Sequence, residues 1–210
     1  MQGFHSVQQM MFLYIIRHQN APPPPDTIWI ASVFLSQSFH DADAYALYES
    51  FLGRISESWT GGQLRQWAEA LQEAIQAHDR ELATHLATCP DLCKSCKHIE
   101  KFSLTPASDY TVLQRWCLTM FAEAMPLPTC LRAIDLVIAQ GVPAIIKLAS
   151  VIILLCTKRL LTIFNPKDLI SYLRQPSQEW LSPENVIQNT GKIALPKTGF
   201  HSPRLGSPRT

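Results

Sequence analysis

The 210-residue sequence is poor in charge, in glycine and in the short motifs that mark common enzyme classes. Charged residues make up 17% of it, and Lys and Arg exceed Asp and Glu by only one. A formal charge of +1, with basic residues scattered in pairs such as Lys158-Arg159, gives no field that would steer the chain onto a polyanion. Nucleic acid is therefore excluded as the expected partner. Eight glycines argue against a glycine-rich, all-β chain. There is no G-x-S-x-G, no H-E-x-x-H and no G-x-x-x-x-G-K-[ST], so nucleophile-elbow hydrolases, zinc proteases of that type and P-loop nucleotide hydrolases are not indicated. The first residues lack a basic region followed by an apolar run and a small-residue cleavage site, and without such a leader the cysteines are expected to be reduced.

What the sequence has in quantity is apolar surface at helical spacing. Hydrophobic residues make up 47% of the chain, enough for a sizeable core. The periodicity is near 3.6 residues in most segments and alternation is rare, so the expected fold class is all-α. Val7, Met10, Met11 and Tyr14 form a helical stripe ending near Arg17. Gln2-Gly3-Phe4-His5-Ser6 leads from Met1 into this stripe with no polar leader before it, so the sequence is expected to be cut at its amino terminus. Pro22 to Pro25 read as a stiff linker. Helices are expected over 30–39, capped by Asp26 or Thr27, and over 41–58, with Asp41 and Asp43 in the first turn, where acids favour the helix dipole. After Thr60-Gly61-Gly62 the longest helix is expected, because Leu64, Trp67, Leu71, Ile75, His78, Leu82 and His85 step by three or four.

Tyr110 to Cys156 is the block around which the rest is arranged. Val112, Leu113, Trp116, Cys117, Met120, Phe121 and Ala124 predict one helix, stopped by Met125-Pro126-Leu127-Pro128. Thr129 is placed to cap the next helix, which runs to Gly141. From Ala144 to Cys156 nearly every residue is apolar, which fits a buried core helix or a membrane span. The run is shorter than the roughly 20 residues a span needs. It also carries Lys147, which is costly in lipid. The reading is therefore a central core helix with Lys147 at its edge. Asn165-Pro166 begins a short helix through Leu173. The expected division is a helical domain over 1–175 and a polar, disordered tail over 176–210.

Two constellations could carry chemistry. His85, Cys89, Cys93, Cys96 and His98 give H-x3-C-x3-C-x2-C-x-H. A C-x2-C pair in a loop brings two thiolates to one tetrahedral zinc, and a nearby Cys or His completes the set. Zinc on Cys89, Cys93, Cys96 and His98 is one reading; an exposed cysteine-rich loop without metal is the other.

The second constellation opens the chain. Met1-Gln2-Gly3 matches the last three positions of a Tyr-x-Gln-Gly motif that opens a helix in the TBC-domain Rab GTPase-activating family. Arg115-Trp116-Cys117-Leu118-Thr119-Met120-Phe121 resembles the Trp-bearing helix of that family. Leu131-Arg132-Ala133-Ile134-Asp135 resembles its Arg-x-x-Asp, with Ile134 where a Trp is usual. In this order, over roughly 1–174, the chain resembles the second half of a TBC domain. It looks most like the branch anchored at the endoplasmic reticulum by a carboxy-terminal membrane helix. The resemblance implies a Rab GTPase as partner and a role in vesicle trafficking. It places the chain in the cytoplasm or on the cytosolic face of endoplasmic reticulum or Golgi membranes, with membrane association at most indirect. It makes Gln2 the glutamine that positions the attacking water. The family's arginine lies in an I-x-x-D-x-x-R motif upstream of Tyr-x-Gln-Gly, and no such segment precedes Gln2 in these residues. The implied activity is therefore that of an impaired Rab-GAP. The alternative is a non-catalytic helical binding module, with zinc as a possible staple.

Overall fold

A computed structural model describes residues 2–19, 23, 26–38, 40–55, 61–87 and 112–195. Among them the regular structure is helical throughout, in agreement with the all-α expectation. The helices are α1 (Gln2–Arg17), α2 (Ile28–Gln37), α3 (Asp41–Ile55), α4 (Gly61–His78), α5 (Arg80–Ala87), α6 (Val112–Thr119), α7 (Leu127–Gln140), α8 (Val142–Leu155), α9 (Thr157–Leu160), α10 (Pro166–Arg174) and α11 (Pro183–Thr190). A 3-10 turn, Gln178–Trp180, lies between the last two.

The centre of the fold is α8. Nine of its residues are buried, among them Ile145, Ile146, Leu148, Ala149 and Ile152 at 0% exposure. It is flanked by α4, α6, α7 and α11. With neighbours on several sides, an apolar circumference is what the position requires. Lys147 is half-buried at the edge, as its place in the sequence led us to expect. Among the described residues no helix is long and apolar enough to cross a membrane. Gly141 makes the corner between α7 and α8. Its φ of 71° and ψ of −150° belong to a region that only glycine enters without strain. Pro143, in the first turn of α8, has no N–H to leave unsatisfied there.

In five places the structure departs from the sequence reading. The single long helix expected from Leu64 to His85 is two helices that meet at Asp79. The Asp79 carboxylate accepts from Leu82 N–H at 2.9 Å, an N-cap that starts α5 and turns the chain. The helix expected to run to Ala124 stops at Thr119. Met120 and Phe121, both at 0% exposure, take left-handed φ values of 48° and 62°. Such values are costly for non-glycine residues and are held here by burial and by the Phe121 N–H to Trp116 O bond of 2.8 Å.

Thr27, one of the two residues expected to cap α2, holds the N-cap position without a side-chain cap bond, and Thr129 lies inside α7, whose N-cap is Pro126. Thr27 shares a 2.9 Å hydrogen bond with the Tyr48 hydroxyl, and Thr129 donates to Leu181 O at 2.6 Å. Finally, the helical domain does not end at 175. Ser182 caps α11 through Asn185 N–H, Pro183 and Glu184 occupy its first turn, and Leu181, Val186, Thr190 and Ile193 are buried. Helix α11 packs on α7 and α8, so residues 176–195 belong to the domain. The remainder of the expected tail, 196–210, lies outside the described residues.

Candidate functional site

Gln2 is the first residue of α1, and its backbone is helical. Its side chain lies outside the described residues. What the structure does show is how the helix it heads is held. Val7 and Met10 are buried under α1, and Tyr14 meets Tyr48 of α3 edge-on with centroids 5.8 Å apart. The Tyr48 hydroxyl donates to Met11 Sδ at 3.8 Å. Tyr48 is at 0% exposure, and burial pushes its phenol well above the usual tyrosine range. A phenol that stays protonated remains a donor, which the Met11 contact requires.

The far end of α1 is tied by charge. One oxygen of Glu49, on α3, sits 3.1 Å from Arg17 Nε, 3.1 Å from His18 Nε2 and 3.2 Å from the Tyr45 hydroxyl. The His18 ring stacks on Tyr14 at 4.1 Å. Burial, then the Glu49 charge, raise the Tyr45 and Tyr14 phenols above their ordinary value. Sequence reasoning missed this cluster because its members come from two helices separated by the proline segment. The available signal was weak: Tyr45 and Glu49 stand four apart, and so do Tyr14 and His18.

Between α1 and α3 runs a groove with a cavity volume of about 710 Å³. Its walls include Met10, Leu13 and Ile16 from α1 and Ala42 and Tyr45 from α3. Leu13 and Ile16 are half-exposed, at 51% and 56%. The groove offers no paired carboxylates, nucleophile–base pair or metal cluster among its described walls.

The motif-bearing residues of the second half build the scaffold. Arg115 makes a forked pair with Glu123, with Nη2 2.9 Å from Oε1 and Nε bound to the other oxygen. This closes the turn after α6, and the hydrogen bonds to Glu123 raise the guanidinium pKa further above its ordinary value. Trp116 is buried against Phe121 at 5.8 Å. Arg132 and Asp135, by contrast, are exposed and form a 3.6 Å pair on the outer face of α7. A pair so placed contributes little to stability.

Of the metal constellation, Cys89, Cys93, Cys96 and His98 lie outside the described residues. His85 is described: its Nε2–H donates to Ile163 O at 2.8 Å, and its ring meets Phe164 edge-on. It thus ties the end of α5 to the loop before α10. The other three cysteines, Cys117, Cys130 and Cys156, are free thiols buried in the core. Burial raises all three, Cys130 to about 12, which makes them poor nucleophiles and poor metal ligands.

A search of curated proteins found no match to this chain. The family model of the RabGAP TBC domain matches residues 88–193, half of the chain. The match runs further toward the carboxy terminus than the motif resemblance, and takes in α11. It does not reach α1, so Gln2 lies outside it. It covers all of α6 to α11, including the buried Trp116, the Arg132–Asp135 pair and the central α8, and by this match the chain belongs to the RabGAP TBC domain family.

Proposed function

We propose that the chain engages a Rab GTPase in vesicle trafficking and, on its own, binds it without the full rate enhancement of a GTPase activator. Family membership carries the Rab-GAP-like part of this reading. In the proposed complex Gln2, at the head of α1, points toward the nucleotide and orients the attacking water. The anchoring of α1 on α3 through Tyr48 and Glu49 supports this, since a water-positioning group gains from a rigid support. No residue in this sequence matches the family's arginine by motif. An arginine finger is worth about 10³–10⁵ in rate, so the glutamine alone leaves hydrolysis slow. The proposed place of action is the cytosol or the cytosolic face of endoplasmic reticulum or Golgi membranes.

The test is a panel of Rab proteins loaded with GTP, mixed with the 210-residue chain. Saturable binding of at least one Rab is expected, with hydrolysis stimulated less than about 10²-fold, below the range an arginine finger supplies. A chain that binds none of the Rabs would overturn the reading. Stimulation above about 10³-fold would overturn the claim that the activity is impaired.

A further inference from the structure

The contact between α2 and α6 joins two stretches of the chain. On one side are α1, α2 and α3, which pack on one another; on the other are the family-matched residues to which α6 belongs. The polar groups at this contact are unevenly served. Arg115 of α6 gives its Nε–H and an Nη2–H to Glu123, which leaves the N–H groups of Nη1 without a bonded partner. Asp26, one residue before the N-cap position of α2, has a carboxylate oxygen, Oδ2, that is buried and accepts no hydrogen bond. After the bonds and the charge of Glu123, the charge of Asp26 raises the Arg115 guanidinium further, so the two side chains lie near each other although no bond joins them. A buried carboxylate oxygen without a donor is costly, and here an unused donor stands close by. The backbone on both sides is also held away from its preferred conformations. Asp26 has a φ of 64°, and Met120 and Phe121, just ahead of Glu123, have 48° and 62°. Strained segments of this kind are where alternative arrangements are found.

We propose that Asp26 and Arg115 form an ionic latch between the α1–α3 stretch and α6, open in this structure, which closes when Arg115 turns its unused N–H groups to Asp26 Oδ2. A guanidinium is a planar fork with donors on three nitrogens, so a small rotation carries it from one carboxylate toward the other. Closure satisfies the orphan oxygen. It also fixes the entry to α2, and with it α1 and α3, against the family-matched helices. Glu123 competes for the same guanidinium and sets how often the latch closes. The latch does not depend on the GTPase reading. Its consequence, a fixed place for Gln2 at the head of α1, rests on that reading.

The test is amide hydrogen exchange of the full 210-residue chain, resolved by peptide, for the wild type, Asp26→Asn, Glu123→Gln and the double variant. Asp26→Asn removes the charge on which the latch closes and is expected to speed exchange in α2 about 10-fold while α8 is unchanged. Glu123→Gln frees Arg115 and is expected to slow exchange in α2 about 3-fold, although it loosens the turn after α6. In the double variant the slowing is expected to vanish, because the freed guanidinium has no carboxylate to hold. Asp26 also stands at the start of α2, where its charge alone favours the helix. Comparing Glu123→Gln with and without Asp26 cancels that part. The proposal is overturned by Glu123→Gln acting equally on α2 in the two backgrounds, or speeding its exchange in the wild type. Unchanged exchange of α2 in Asp26→Asn overturns it as well. Where Glu123→Gln perturbs folding, Arg115→Gln and Asp26→Asn, alone and together, give a second cycle on the same peptides. Their effects on α2 are expected to be less than additive, and additive effects overturn the latch. No Rab enters the assay, so its failure and that of the GTPase reading are separate results.

Discussion

Ile146 is the position at which to test whether α8 is a packed core helix. It is at 0% exposure in the first half of α8, a helix that packs on α4, α7 and α11. Truncation to Val removes one methylene group and should cost about 0.5–1.5 kcal/mol. Truncation to Ala removes three carbons, about 2.4 kcal/mol at ~0.8 kcal/mol each. A cavity of roughly 60 Å³ would add about 1.4 kcal/mol at ~24 cal/mol per Å³. The expected loss for Ile146→Ala is therefore about 4 kcal/mol. That is a large part of the ~5–15 kcal/mol that holds a domain together. Ile138→Ala, on the exposed side of α7 with 42% of its surface in water, is the internal control and should cost no more than about 0.5 kcal/mol. The assay is urea unfolding followed at 222 nm, fitted with a common slope so that a change in midpoint reads as a change in stability. A loss below ~1 kcal/mol for Ile146→Ala, or one equal to that of Ile138→Ala, would contradict the packing described for α8.

Other outcomes follow from single contacts. Gly141→Ala meets no atom closer than 4.0 Å, so any cost is conformational, and a loss of about 1–3 kcal/mol is expected. An unchanged melting temperature would show that the corner does not need glycine. Thr129→Val removes the 2.6 Å bond to Leu181 O and leaves a buried carbonyl unpaired, at about 1–3 kcal/mol. Hydrogen exchange should then accelerate in 181–193 before it does in α8, and uniform acceleration would count against the tether. The raised thiols of Cys117, Cys130 and Cys156 and the raised phenol of Tyr48 keep their protons in the folded chain, while the unfolded chain releases them first. The folded state then binds more protons, so stability should be full below the ordinary thiol range and fall as the pH rises above about 9. Stability that is flat or rising from pH 8 to 10 would contradict this. At least three of the six cysteines should also react with a thiol reagent only on unfolding.

Much of the architecture could be read in the sequence because it is written in local terms. Apolar spacing placed α2 and the start of α3 within two residues and the end of α1 at Arg17, Asn165-Pro166 marked the start of α10, and the stretch 56–58 expected at the end of α3 lies outside the described residues. Gly141 and Pro143 marked the corner before α8, and length together with Lys147 placed that helix in a core. The failures came where a non-local contact or a polar cap overrode the pattern. The stripe from Leu64 to His85 continues through Asp79, but a cap that starts a new helix does not interrupt an apolar period. The stripe from Val112 to Ala124 likewise continues through two residues that leave the helix while remaining buried. Composition misled at α11. Ser182-Pro183-Glu184 is a helix-start signature, but it stands among polar residues whose composition is that of a tail. The two threonines carried cap-like hydroxyls whose partners, Tyr48 and Leu181, lie 21 and 52 residues away. The Glu49 cluster likewise joins residues that only folding brings together. Gln2 stands out only by its motif, while the helix it heads is explained by packing.

The central proposal is that this RabGAP TBC family member recognises a Rab in its GTP-bound form. The direct measurement is the affinity of the 210-residue chain for the same Rab loaded in turn with GDP, with a non-hydrolysable GTP analogue, and with GDP plus aluminium fluoride. Binding to the analogue is expected to be at least ~10-fold tighter than to GDP. Only a small further gain is expected with aluminium fluoride, and Gln2→Ala should remove it. Equal affinity for all three states, or no affinity for any Rab tested, would contradict it.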